Sequence, residues 1–232
     1  MISSSHLTPY ASRIMERIPE PELMDDPARA RAYAGADFSE PHEAFVRYFR
    51  SRFPTHRPGA VIDLGCGPAD VILRFARAYP ECRIVGVDGA AAMLALGREA
   101  LARAGLAGRI ELRRLRLPAA LAPEYDTVIS NSLLHHLARP RVLWEAVRAC
   151  ARAPAAVLVM DLMRPASRAQ AQRLVAEHAA GEPEVLKRDF LNSLLAAYRP
   201  EELGAQLAQA GLADLRVEVV SDRHVIVWGR IP

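Results

Sequence analysis

The chain has 232 residues, of which 51% are hydrophobic and 25% charged. That is ordinary globular usage, which argues against general disorder and suits one domain with an appendage or two small domains. Thirty basic residues against 27 acidic leave a formal net charge of +3, and every basic residue except Lys187 is arginine. So small a surplus, with no basic run, makes nucleic acid an unlikely partner; the arginines read as solvated helix faces. No apolar run of about 18 residues marks a membrane span. The opening Met1-Ile2-Ser3-Ser4-Ser5-His6 lacks the pattern of a secretory leader. Cys66, Cys82 and Cys150 show no metal-type pair spacing. A cytoplasmic chain with reduced thiols is expected, as monomer or homodimer, with no membrane association.

Residues 1–57 carry Pro9, Pro19, Pro21, Pro27, Pro41 and Pro54. These divide the segment into turns and short helices such as 26–34 and 41–52, an N-terminal helical cap. A core over 58–232 follows. Strands are expected at 60–64, 83–88, 109–115, 126–131 and 155–161, with helices at 69–79, 90–105 and 139–152 between them. The first strands are continuous apolar runs, as in parallel strands covered on both faces. Alternation of strand and helix implies right-handed crossovers and an open α/β sheet. Residues 162–199 form an inserted helical stretch, placed to cover the ligand crevice as a lid. A last helix starts at Pro200 and stops at Gly211. Strands at 215–220 and 223–229 follow, separated only by Ser221-Asp222, which forces an antiparallel hairpin.

The strongest chemical signal is Val61-Ile62-Asp63-Leu64-Gly65-Cys66-Gly67-Pro68-Ala69-Asp70. A buried strand runs into a glycine turn, and Pro68 opens a helix. Gly65 and Gly67 let backbone pass close to a ligand. A dinucleotide fingerprint needs a small residue where Asp70 stands, and an acid there repels a pyrophosphate at the helix start. Asp88 closes the second strand 21 residues after Gly67. That spacing puts its carboxylate beside the turn, where it can accept hydrogen bonds from ribose hydroxyls. The site therefore reads a nucleoside without a pyrophosphate. The fourth strand leaves Asn131, Ser132, His135 and His136 at the same sheet edge. Each signal alone has a plainer account: a tight turn for the glycines, a helix cap for Asp88.

Together these residues resemble the class I S-adenosylmethionine-dependent methyltransferases over about 58–232. The resemblance implies a Rossmann-like, seven-stranded mixed sheet of order 3-2-1-4-5-7-6 with the last strand antiparallel. It also implies S-adenosyl-L-methionine as cofactor and a small-molecule acceptor. Gly65 and Gly67 would sit against the methionine part, with Asp63 and Cys66 among the cofactor-binding residues, and Asp88 would hold the ribose. Gly89 and Met93 would flank the adenine, and the Asn131 backbone, with Ser132 beside it, would receive the amino group. Two departures stand out. Ala69 replaces the third turn glycine, a mild change because it stays small. Arg113-Arg114-Leu115-Arg116-Leu117-Pro118 lacks the usual third-strand acid, so adenine would be met by groups near Leu115 and Arg116.

His136 and His135 are the candidate general bases, since imidazole titrates near neutrality. On a helix beginning after Ser132 at most one can face the crevice. Metal binding by the pair is not expected, because adjacent rings diverge and no carboxylate sits nearby in sequence. Tyr33 and Phe38 could close over the cofactor. In the lid, Arg188, Asn192, Tyr198 and Arg199 are the candidate acceptor contacts, with an arginine meeting a carboxylate. Helical spacing also puts Asp189 and Ser193 on one face. A carboxy-S-adenosylmethionine synthase and a non-catalytic cofactor-binding protein are the alternatives within this fold.

Overall fold

The computed structural model describes residues 15–20 and 23–232. Pro9, Pro21 and the opening residues of the cap lie outside the described residues. Two helices, α1 (Pro27–Gly35) and α2 (Ser39–Arg52), precede the sheet. Asp26 starts α1, its side chain accepting from the Arg29 amide at 2.8 Å. The α/β region then runs β1 (Ala60–Leu64), α3 (Asp70–Ala78), β2 (Arg83–Asp88), α4 (Ala91–Ala104), β3 (Ile110–Arg114), β4 (Tyr125–Asn131), α5 (Arg141–Cys150) and β5 (Ala151–Leu162). Helices α6 (Arg168–His178) and α7 (Glu184–Ala196) fill the insertion; α8 (Pro200–Gln209), β6 (Arg216–Val219) and β7 (His224–Ile231) complete the chain.

The seven strands form one sheet of order β3-β2-β1-β4-β5-β7-β6. β1 pairs in parallel with β2 and β4, while β7 is antiparallel to both β5 and β6. The expected architecture is present, hairpin included. The continuous apolar strands are explained by their two covered faces. In β5, Ala155, Val157 and Val159 join the core under α5 and α8. Ala156, Leu158 and Met160 join the opposite core, with Phe45 and Phe49 of α2 and Ile72 and Phe75 of α3. Alternate residues of a strand point to opposite faces, so a strand with helices on both sides has no solvent-facing position to make polar.

Three local expectations are corrected. Helix α3 begins at Asp70, two residues after Pro68, because Ala69 takes a left-handed conformation (φ 68°). Replacement of glycine by alanine there is therefore not mild: a side chain occupies a backbone conformation that favours glycine. The fifth strand starts at Ala151, so the helix expected to reach 152 ends at Cys150. The two histidines sit in a single 3-10 turn, Leu134–His136, not on an α-helix.

Candidate active site

The site forms where β1, β2 and β4 end together at the carboxyl edge of the sheet, the usual ligand edge of an open α/β sheet. The Gly65 and Cys66 amides both donate to the Val87 carbonyl, at 2.8 and 3.0 Å, which tacks the turn to β2. The Gly67 N–H donates to Asp88 Oδ2 at 2.9 Å, and the Ala90 N–H to Oδ1 at 2.8 Å. Asp88 is thus both brace and helix-start partner, with further lone pairs directed to the crevice. Burial raises its pKa, and these amide hydrogen bonds work against the rise.

Gly65 has φ 79°, and a Cβ added there would stand 2.9 Å from the Leu133 side chain. Gly67 has φ 50° and open space where its Cβ would be. The first glycine answers to packing and backbone; the second leaves room in the crevice. Behind the turn Asp63 is 1% exposed, and its Oδ1 has no hydrogen-bond partner. Burial, with the neighbouring Asp88 charge, pushes its pKa up to about 8. At the end of β4, the Ser132 amide donates to the Met160 carbonyl at 2.9 Å while Ser132 itself takes φ 56°. Asn131 Oδ1 is likewise buried without a partner.

The crevice is walled by every residue expected to hold the cofactor. Asp63, Gly65, Cys66, Gly67 and Asp88 lie at the turn, and Gly89, Met93, Leu115 and Arg116 at the β2–β3 end. Asn131, Ser132 and Tyr33 stand opposite them. The third-strand end offers Leu115 and Leu117 where the usual acid would stand, and Leu23 and Met24 close that end from the cap. Only proximity across more than sixty residues reveals those two. His42 and Asp70 also reach the wall, paired at 2.6 Å. Burial raises the Asp70 pKa, but hydrogen bonds from His42 and Arg74 outweigh it and hold the carboxyl at about 2.

A second cavity adjoins the first and shares Met24, Tyr33, His42, Asn131, Ser132 and His136 with it. Its floor is the histidine turn. His135 Nδ1 lies 2.5 Å from Asp161 Oδ1, and the Leu134 amide donates to Asp161 Oδ2 at 2.7 Å. On the other side His135 Nε2 stands 3.5 Å and His136 Nδ1 3.2 Å from Glu20 Oε1. The two rings pack against each other, tilted by 37° with centroids 4.1 Å apart. Burial lowers the His135 pKa, yet Asp161 and Glu20 outweigh that and raise it. Burial raises that of Asp161, but the His135 charge wins and lowers it. The ionised pair is the favoured state. The reason for dismissing a metal here is also corrected: the 3-10 turn does bring both rings to one carboxylate, with donor atoms of Glu20, His135 and His136 within 4.8 Å of one another.

The inserted helical stretch presents a different face than expected. Helix α7 turns Leu186, Asp189, Phe190 and Ser193 to the cavity, at i, i+3, i+4 and i+7. Arg188 and Asn192 are exposed on its other side. Tyr198 is buried with its hydroxyl donating to the Leu137 carbonyl at 3.1 Å, under the Arg17 guanidinium. Arg199 bonds the Met15 carbonyl at 3.0 Å and starts α8 with Glu202. None of these four lines either cavity. Phe38, expected beside Tyr33, does: the two rings lie 4.8 Å apart at its rim.

A seven-stranded sheet of order 3-2-1-4-5-7-6 is the Rossmann-like fold of the class I S-adenosylmethionine-dependent methyltransferases. Residues 61–156 match the family model described as methyltransferase domain. Trans-aconitate 2-methyltransferase of Variovorax paradoxus is 30% identical over 152 residues, 62% of this chain and 55% of that protein. The Deinococcus radiodurans protein of the same name is 29% identical over 155 residues, 63% of this chain and 54% of its own. The matched stretch thus spans about half the length of these curated relatives. Among solved structures, a SAM-dependent methyltransferase from Aquifex aeolicus superposes with TM-score 0.65 at 16% identity, covering 89% of this chain and 99% of that one. The plantazolicin methyltransferase BpumL, solved with SAH, gives TM-score 0.64 at 12% identity, covering 87% and 90%. Among the described residues, no helix is long and apolar enough to cross a membrane.

Proposed function

We propose that the chain is an S-adenosylmethionine-dependent methyltransferase acting on a small molecule. One observation carries the reading: the nucleoside-type crevice continues past Asn131, Ser132 and His136 into a second cavity lined further by α7 and the β6–β7 link. That is the arrangement a two-substrate transfer needs. The residues present suit the cofactor. Asp63 offers a buried oxygen without a partner, an acceptor for the cofactor's donors. Asp88 stands ready for the ribose, and Leu23, Met24, Met93 and Leu115 make an apolar slot for a base.

Bound there, S-adenosylmethionine supplies an electrophilic methyl group on a sulfonium. The chain's own tasks are alignment, exclusion of water and removal of a proton where the acceptor carries one. His136 borders both cavities and is the proposed base; His135, clamped between Asp161 and Glu20, positions it by ring contact. Residues 1–57 act as the cap and the α6–α7 insertion as the lid over the core. Arg17 supports this closure, bridging the Ala196 carbonyl of the lid and the His135 carbonyl of the turn. Calorimetric titration with S-adenosylmethionine and S-adenosylhomocysteine tests the reading. Micromolar binding that Asp88→Ala weakens is expected; no heat at millimolar ligand refutes it.

A further inference from the structure

The second cavity has a charge pattern that bears on its occupant. Among the described residues that line it, Arg223 is the only lysine or arginine. Its guanidinium is already engaged, with Asp222 Oδ1 and His178 Nε2 at 3.0 Å and Glu40 Oε2 at 3.4 Å. His224, also at the wall, is held neutral: burial and the Arg223 charge press its pKa down to about 4. Among the described residues of this wall, no lysine or arginine is left without an acidic partner to receive a carboxylate or phosphate, and the charge on His135 is already matched by Asp161 and Glu20.

Acceptors of cations are present instead. Asp37, Glu182 and Asp189 line the same cavity. Asp189 is paired with Arg29 at 2.9 Å. The Glu182 carboxylate enters no ion pair or hydrogen bond with the described residues. Tyr33, Phe38 and Phe190 border the space, and an aromatic ring can hold a cation through its quadrupole. An independent sign comes from the junction with the cofactor crevice. There Asn131 Oδ1, a pure hydrogen-bond acceptor, is buried without a partner. An N–H donor satisfies it and a carboxylate repels it.

We infer that the acceptor is a protonated amine on an apolar, ring-bearing body, methylated at nitrogen. This rests on the methyltransferase reading and narrows it. The trans-aconitate relatives are named for an anionic acceptor, and this cavity has the opposite polarity. The ammonium must first lose one proton, to His136. The freed lone pair then forms the N–C bond while the C–S bond breaks, its electron pair staying on sulfur. A tertiary or quaternary product keeps its positive charge, so the same acids and rings hold each methylated form for another round.

The test uses the whole protein saturated with S-adenosylhomocysteine. Its ligands are a matched panel of phenylethyl, indolylethyl and naphthylmethyl bodies, each carrying ammonium, hydroxyl or carboxylate. The ammonium member is expected to bind at least tenfold tighter than its hydroxyl and carboxylate counterparts in one or more bodies. Glu182→Gln should cut that affinity several-fold with S-adenosylhomocysteine binding unchanged. Asp189→Asn, which releases Arg29, should improve the carboxylate relative to the amine. A carboxylate or alcohol that binds as tightly as its amine overturns the inference, as does a panel in which no amine binds while S-adenosylhomocysteine does. Failure of S-adenosylhomocysteine itself to bind overturns the methyltransferase reading, and the inference with it.

Discussion

Gly67 and Asp88 are 21 residues apart in sequence, and the amide of one donates to the carboxylate of the other at 2.9 Å. The same carboxylate holds the Ala90 amide, so one side chain ties the glycine turn to the start of α4. Asp88→Ala leaves two amides without their charged partner. A loss of about 2 kcal/mol in urea unfolding is expected, together with at least a tenfold fall in S-adenosylmethionine affinity. Retention of affinity in a folded variant would count against Asp88 as the ribose partner.

The two turn glycines should fail differently. Gly65→Ala forces a left-handed alanine and drives its Cβ to 2.9 Å from Leu133, so a stability loss of about 2 kcal/mol or more is expected from strain and overpacking. Gly67→Ala meets nothing within 4 Å. It should cost only about 1 kcal/mol of backbone strain yet impair cofactor binding, because the added methyl stands in the crevice. Denaturation curves beside calorimetry separate the two effects. Equal behaviour of the pair would contradict the assigned roles.

Asp63 links pH to both stability and binding. Its folded pKa near 8 lies above the ordinary carboxylate value of 3.8, because burial and Asp88 penalise its charge. Its contribution to stability is therefore fully present below pH 4 and is lost as pH rises through about 8. Asp63→Asn should flatten that decline in the ligand-free protein. A cation bound beside Asp63 favours the ionised form, so wild-type binding at pH 7 should release a proton. The measured heat should then vary with the ionisation enthalpy of the buffer, and this dependence should shrink in Asp63→Asn.

His135 and Asp161 form a buried pair, at 3% and 5% side-chain exposure. Removing one member strands the other's charge. Asp161→Ala is expected to cost roughly 3–5 kcal/mol. Asp161→Asn, which keeps an acceptor for the Leu134 amide, should cost less. His136→Ala should instead leave the protein stable and lower turnover, with cofactor affinity little changed. Urea unfolding and single-turnover rates give the two readouts.

The sheet and cofactor wall were legible because they are written locally. Asp63, Gly65 and Gly67 share one turn, and Asp88 follows at a distance set by one βα unit. The limits of β1 and β2 agree with the expected 60–64 and 83–88, since an apolar run bounded by Gly and Pro leaves little choice. The wall of the second cavity was not legible in this way. It is assembled from the cap (Phe38), the turn after β4 (His136), α7 (Phe190) and the β6–β7 link (Arg223), segments up to 185 positions apart. The face of α7 could not be chosen from spacing, because polar residues stand on both sides of it; the packed structure turns 186, 189, 190 and 193 to the cavity.

Sequence alone determined the alternation of strands and helices, the terminal hairpin and the place of the glycine turn and Asp88 at one sheet edge, because backbone periodicity, glycine conformation and βα spacing act within one or two elements; the strand order followed from the family resemblance. Tertiary structure alone decided the state and company of the charges. It paired Arg223 with acids, set Glu20 against two histidines, and left Asn131 and Asp63 with unmatched oxygens. Charge energetics depend on burial and on partners brought from afar, and neither is a property of a local stretch of chain.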